Sequence, residues 1–175
     1  MENKVNVAAS VNNSNAAAVA EAANGNVETA NQPTIKTFAL TVKRVQVIDD
    51  DVFVNVNLTF DKSIPGFVRD EDGSYIEANV DHISFSRASI TRQLCALNDL
   101  IATYRDASEG AFNRKQLSII LHGAKLTIKR TLHAAGEIIE GREEPLERDS
   151  WFSEIVGVSV SKTAATLLLS ALTLS

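Results

Sequence analysis

The fold of this chain is decided by residues 37–60, which read TFALTVKRVQVIDDDVFVNVNLTF. Apolar and polar residues alternate on both sides of the acidic turn at 49–51, and a period of two is typical of half-buried strands. The alternation slips by one position at Lys43–Arg44. A β-bulge there would explain the slip and would bend the first strand, as a barrel requires. We therefore predict a strongly bent β-hairpin.

Further strands are predicted directly after this hairpin. Pro65–Gly66 interrupts the alternation, and the polar residues 70–73 have the composition of a turn. This turn would join two short strands at 67–68 and 75–76 in a second hairpin. A separate short strand is expected over 83–86.

Two helices are predicted between the third and fourth main strands. Apolar residues recur at helical spacing over 90–104, with Ser89 as the expected N-cap. A shorter helix is expected to begin after Asn113, which forms a capping-box pattern with Gln116, and to end at Gly123.

The remainder of the chain predicts two more strands and an apolar tail. Residues 125–133 alternate, an acidic loop follows over 137–149, and a last strand is expected near 151–161. Residues 163–174 indicate a short apolar helix or another buried strand. About five strands with a two-helix insertion before the fourth predict a mainly β (α+β) fold, a small, partly open OB-like β-barrel with a short C-terminal helix. An α+β sandwich is the alternative.

The first 33 residues differ in composition from the rest. Seventeen of them are Ala or Asn, none is aromatic and four are charged. Such a segment cannot bury enough apolar surface to offset the entropy of ordering it. We predict a flexible Ala/Asn-rich N-terminal arm over 1–33 and a single globular OB-like domain over 34–175.

Charge is sorted into blocks along the chain. Residues 87–133 carry eight Lys or Arg side chains and three acidic ones, whereas residues 134–154 carry seven acidic side chains and two arginines. The whole chain has a formal net charge of −5. A basic block inside an acidic protein predicts a face that meets an anionic partner.

Other classes of protein find little support in the sequence. The single Cys95 cannot form an internal disulfide, and no apolar run approaches the roughly 20 residues that span a bilayer. His82, His122 and His133 lack metal-ligand spacing, and no cofactor motif is present. We therefore predict a cytoplasmic, non-enzymatic protein without metal, cofactor or membrane association.

The basic block and one aromatic residue suggest where an anionic partner would bind. Lysines on the outer face of the strand at 125–133 could follow phosphates while Phe53 stacks on bases, and stacking contributes about 1–3 kcal/mol per base. Arg130 is the weakest member, because alternation puts it on the core-facing side. The alternative is an ordinary solvated face with Phe53 packed under the helices. The predicted contacts are Lys43, Phe53, Arg87, Arg92, Arg114, Lys115, Lys125, Lys129, Arg130 and His133.

These observations predict a single-stranded nucleic-acid (ssDNA) binding protein, a replication accessory of the phage type. The alternative is a structural or assembly protein, such as a virion component or an oligomeric scaffold. It would use the N-terminal arm and the apolar C-terminus for subunit contacts. A homo-oligomer is expected under both hypotheses.

Overall fold

The computed structural model describes residues 32–50, 52–108 and 110–174. The predicted N-terminal arm lies outside these residues, apart from its last two. The described residues form five strands and four helices. The strands are β1 (Thr34–Asp49), β2 (Val54–Arg69), β3 (Tyr75–Ser86), β4 (Lys125–His133) and β5 (Ser150–Ser159), and the helices are α1 (Arg87–Leu97), α2 (Asp99–Asp106), α3 (Arg114–Leu121) and α4 (Lys162–Thr173).

Strand β1 lies at the centre of the sheet and pairs with both β2 and β4. The strand order is β3-β2-β1-β4-β5, and all neighbours are antiparallel. The first part of β1 pairs with β4 and the second part pairs with β2. The register shifts between Val42 and Arg44, so the predicted bulge is confirmed. Leu40 and Val42 are buried before the shift, and Val45 packs against the core after it.

The bent sheet forms a barrel that stays open along one side. Among the described residues, the outer strands β3 and β5 pair only with β2 and β4, respectively. The helices α1, α2 and α3 are inserted between β3 and β4. Five antiparallel strands with a continuous shared β1 and this insertion form the small, partly open OB-like barrel that the sequence predicted. A sandwich of two separate layers does not describe it.

Strands β2 and β3 are longer than the sequence predicted. β2 continues through Pro65–Gly66, because these two residues stay in register with Asn79 and Ala78 on β3, and the register irregularity lies before them, between Thr59 and Ile64. The segments at 75–76 and 83–86 likewise belong to one strand, β3.

The insertion contains three helices, so the prediction of two was wrong. Asn98 leaves the helical conformation with φ −149° and ψ 115°, which ends α1, and its side chain accepts a hydrogen bond from the Ile101 amide, which starts α2. The N-cap of α1 is Ser86 instead of Ser89. The capping box of α3, formed by Asn113 and Gln116, is present as predicted.

The helices close one end of the barrel over an apolar core. α1 packs against β5, β2 and β3, and its Gln93 side chain accepts a hydrogen bond from the Ile155 amide at 2.7 Å. The C-terminal segment is a helix, α4, which packs against α2 and α3. It buries Ala164 and Leu168 and leaves Leu167 exposed.

Candidate nucleic-acid interface

The predicted lysine face of β4 exists but is partly neutralised. Lys125, Lys129 and His133 alternate with the buried side chains of the same strand, as the sequence predicted. Lys129 Nζ lies 3.5 Å from a carboxylate oxygen of Glu154, its cross-strand neighbour on β5. His133 Nδ1 lies 2.7 Å from a carboxylate oxygen of Glu137. Two of the three groups therefore already face an acidic side chain.

Lys43 and Phe53 both belong to the β1–β2 hairpin, Lys43 within β1 and Phe53 in the turn. Lys43 is exposed at the bulge of β1. Phe53 lies in the turn before β2, where its carbonyl oxygen accepts a hydrogen bond from the Asp50 amide. Its side chain is 67% exposed, so it does not pack under the helices.

Four further predicted cations belong to the helical insertion instead of the sheet. Arg87 is the first residue of α1, and Arg92 lies on the exposed side of the same helix. Arg114 and Lys115 open α3 and are both exposed. They share no strand with the β4 lysines, so the ten predicted contacts are spread over several surfaces.

Arg130 faces the core, as strand alternation requires. Only 6% of the residue is exposed, and its Nη1 donates to the carbonyl oxygen of Pro65 on β2. Burial lowers the pKa of its guanidinium to about 10. The group therefore remains charged at neutral pH.

Trp151, which the sequence analysis did not select, lies beside Arg130 at the start of β5. Its ring centroid is 5.4 Å from Arg130 Cζ and 6.0 Å from Lys36 Nζ. The side chain of Lys36 is exposed on β1, directly across from Arg130 on β4. Trp151 thus has two cations in cation–π range, one from the adjacent strand β4 and one from β1 beyond it.

A second aromatic ring with two cations lies at the β2–β3 hairpin. Arg69 Nε donates to Tyr75 Oη at 2.8 Å, and Arg148 Cζ lies 3.2 Å from the ring centroid. The hydrogen bond from Arg69 lowers the pKa of the Tyr75 hydroxyl, and the charge of Arg148 adds to this effect. Tyr75 is 40% exposed, so the group is open to a partner. We call Arg69, Tyr75 and Arg148 the tyrosine cluster.

The gap between β3 and β5 forms a groove, which we call the seam groove. It contains a cavity of about 430 Å³. An adjoining cavity of about 290 Å³ shares Gly66 and Trp151 with it and adds Lys36 and Glu77. The seam groove is lined by Phe67, His82, Ser84, Arg130, Trp151 and Ser153, among others.

Gly66 allows β2 and β3 to approach closely beside this groove. A Cβ atom at Gly66 would lie 2.7 Å from Cγ2 of Val80, which is far inside van der Waals contact. The absence of a side chain at this position therefore shapes the β3 wall of the seam groove.

The cations of the seam groove and the tyrosine cluster differ from those of the β4 face in their partners. Among the described residues, no ion pair joins a carboxylate to Lys36, Arg69, Arg130 or Arg148. Their positive charge is therefore not neutralised by a carboxylate of the described residues. Cations without an internal counterion beside a half-buried ring, Trp151, and an exposed one, Tyr75, match the charged groups and stacking rings that bind single-stranded nucleic acid.

The sequence contained a signal for part of this arrangement. The predicted hairpin around 70–73 implies that Arg69 and Tyr75 are cross-strand neighbours, and the structure pairs them. No local pattern connects Trp151 with Lys36, or Tyr75 with Arg148, because these contacts depend on how the barrel closes.

In the described part of the chain, no group of three or more His, Cys, Asp or Glu side chains is arranged to hold a metal ion. None of the helices within it is long and apolar enough to cross a membrane.

Comparisons with known proteins found one similar solved structure and no family. No family model and no curated protein sequence matches this chain. A crystal structure of a small single-stranded DNA-binding protein from Streptomyces coelicolor matches with 12% sequence identity and a TM-score of 0.23. The match covers 75% of this chain and 95% of that protein.

Proposed function

We propose that this chain binds single-stranded nucleic acid, ssDNA in the first instance, through the seam groove and the tyrosine cluster. One observation carries the proposal: Trp151 and Tyr75 each lie beside two cations that have no carboxylate partner among the described residues. Rings offer stacking surfaces to bases, and unpaired cations offer counterions to phosphates.

The same combination predicts a preference for single strands over duplex. In a duplex, the bases stack on one another and their faces are covered. A single strand can turn its bases outward onto Trp151 and Tyr75 while its phosphates meet Lys36, Arg69 and Arg148. A net charge of −5 does not oppose this, because a strand responds to the local field at the groove, where the cations Lys36 and Arg130 outnumber the single acidic side chain, Glu77.

The contacts predicted from the sequence remain part of the proposal as a secondary surface. Lys125 and Phe53 are exposed and could extend the path of a longer strand beyond the groove. Lys129 and His133 contribute less, since each already faces a carboxylate. A role as a phage-type replication accessory stays a prediction from the sequence.

Fluorescence anisotropy tests this function directly. A labelled single strand of about 30 nucleotides, longer than the site of most single barrels, is titrated with the protein at low and moderate salt. We expect binding that weakens with salt, because phosphate contacts release counterions. We also expect weaker binding to a duplex of the same length.

A matched pair of variants locates the site in that assay. Arg148→Ala removes a cation of the tyrosine cluster, whereas Arg105→Ala removes one that is paired with Asp106 on α2. We expect only the first substitution to weaken binding. Absence of binding at low salt, or equal affinity for single strand and duplex, would overturn the proposal.

Assembly is a second candidate function, favoured by the surface of α4. Leu167 and Leu169 are 48% and 54% exposed on this helix. Self-association through α4 would cover them, and it agrees with the homo-oligomer predicted from the sequence. Sedimentation of the full chain over a range of concentrations tests this candidate. A monomer at all concentrations, unchanged by Leu167→Lys, would exclude it.

A further inference from the structure

On the inward face of β1, β4 and β5, apolar side chains give way to polar ones towards the seam groove. In the core, Ile128 on β4 lies opposite Ile155 on β5, and both are buried. Two residues further along the strands, the register aligns Lys36, Arg130 and Ser153 across β1, β4 and β5. An apolar row of the core is thus followed by a polar row on the same face.

Two members of this polar row are buried without enough partners. The guanidinium of Arg130 carries several N–H donors, and the structure provides one acceptor, the carbonyl oxygen of Pro65. The Nε atom of Arg130 and the Oγ atom of Ser153 are both buried without a hydrogen-bond partner among the described residues. Buried polar groups are normally paired, so this pair of neighbouring groups points to a missing ligand.

Both residues line the cavity of about 430 Å³ in the seam groove, and Trp151 lines the same cavity. A ligand in this cavity would meet a cation, a hydroxyl group and an aromatic ring within one site. Guanidinium and hydroxyl donors favour a phosphate, because its several oxygens can accept from both at once. The adjacent ring favours a base attached to that phosphate.

We infer that Arg130 and Ser153 form a phosphate-binding subsite at the floor of the seam groove, for a nucleotide unit whose base stacks on Trp151. The inference rests on the proposed function, which supplies the strand to which this nucleotide belongs. Arg130 Nε and Ser153 Oγ are covered, so the phosphate reaches them when the edges of β3 and β5 move apart. In the described residues no backbone pairing joins these two edges.

Mononucleotide titration followed by NMR tests the subsite. Thymidine 5′-monophosphate is added to the full chain while the Nε–Hε signal of Arg130, assigned with the variant Arg130→Lys, is observed. We expect the nucleotide to shift this signal and thymidine, which lacks the phosphate, to leave it in place at the same concentration. An Nε–Hε signal unmoved by the nucleotide would overturn the inference.

A matched pair of serine variants on β5 tests the hydroxyl. Ser153→Ala removes the buried Oγ. Ser159→Ala removes an exposed hydroxyl at the other end of β5, where Ser159 pairs with Lys125 of β4. We expect Ser153→Ala to weaken nucleotide binding by about two- to tenfold, the range for one hydrogen bond, and Ser159→Ala to leave it unchanged. Equal affinities in the two variants would contradict the assignment.

Oligonucleotides with and without a 5′-phosphate identify the source of the phosphate. If Ser153→Ala lowers the affinity for the 5′-phosphorylated strand alone, the subsite binds the phosphate at a strand end. If it lowers the affinity for both strands equally, the subsite binds an internal phosphodiester. Strand binding that is insensitive to Ser153→Ala refutes the subsite and leaves the proposed function intact. Nucleotide binding without strand binding refutes the proposed function and leaves the subsite.

Discussion

Lys129 and Arg130 are neighbours in the sequence, yet they lie on opposite faces of β4. Lys129 has a carboxylate partner, and Arg130 has none among the described residues. Lys129 lies on the outward face of β4, in solvent, at 3.5 Å from Glu154. Arg130 faces inward, is 6% exposed and has no carboxylate partner among the described residues. The outward face was the more obvious candidate from the sequence. The seam groove is the better one, because a cation already paired with an acid gains less from a phosphate.

This comparison also shows the limits of counting charges in a segment. The block over 87–133 is basic, but its members are distributed over α1, α2, α3 and both faces of β4. Lys36, Arg69 and Arg148, which lie beside the two rings, are all outside that block. An anionic partner responds to the local field at a groove, and strand pairing decides which side chains create that field.

The largest effect on ssDNA affinity is expected from replacing Trp151, an aromatic side chain of the seam groove. Trp151→Ala removes a stacking surface of the seam groove and should weaken ssDNA binding by about 1–3 kcal/mol, whereas Phe53→Ala should have a smaller effect. Phe53 lies in the turn before β2 and is exposed there, with no part in the seam groove. Anisotropy with both variants makes the comparison. A larger loss for Phe53→Ala would move the stacking surface to the β1–β2 turn.

The next effect concerns the stability of the groove wall. Gly66→Ala should lower the free energy of unfolding by about 1–3 kcal/mol, because the new methyl group overlaps Val80 and the β2–β3 approach is tight. Urea denaturation measures this change. Val80→Ala in the same chain makes room for the methyl group and should recover part of the loss. Destabilisation that the second substitution leaves unrelieved would mean that the overlap is not the cause.

The salt dependence of ssDNA binding should differ between variants of the tyrosine cluster and of the outward β4 face, by a smaller effect. Loss of one phosphate contact on a single strand reduces the slope of log K against log salt by about 0.7. We expect Arg148→Gln to produce this reduction and Lys129→Gln to leave the slope unchanged. The reverse result would show that the pair between Lys129 and Glu154 opens for the strand and that the outward face does the binding.

The smallest expected effect is on the titration of Tyr75. Its hydrogen bond from Arg69 and the nearby Arg148 favour the phenolate, so its pKa is lowered from 10.0. The phenolate adds negative charge, so strand binding should weaken as pH rises through this lowered pKa. Ultraviolet absorbance of the phenolate measures the titration, and Arg69→Gln should move it to higher pH. At neutral pH, Tyr75→Phe keeps the ring and should bind nearly as well as the unchanged protein.

The OB-like fold was largely predictable because its signals are local. The phase slip at Lys43–Arg44 predicted the bulge, and Asn113 with Gln116 predicted the start of α3. The errors were also local in origin. Apolar spacing continued across Asn98, so one helix was predicted where the structure has two. Pro65–Gly66 suggested a strand end, yet both residues pair with β3.

By itself, the sequence determined the first hairpin, the place of the helical insertion before β4, the bend of β1 and the two faces of β4. Each of these follows from alternation, capping or turn chemistry within a few residues of chain. Only the tertiary structure decided which cations stay free and which rings they accompany. Lys36 meets Trp151, and Tyr75 meets Arg148, across more than seventy residues of chain. Such contacts depend on the curvature of the whole sheet and on the gap between β3 and β5. No local pattern in the sequence encodes that geometry.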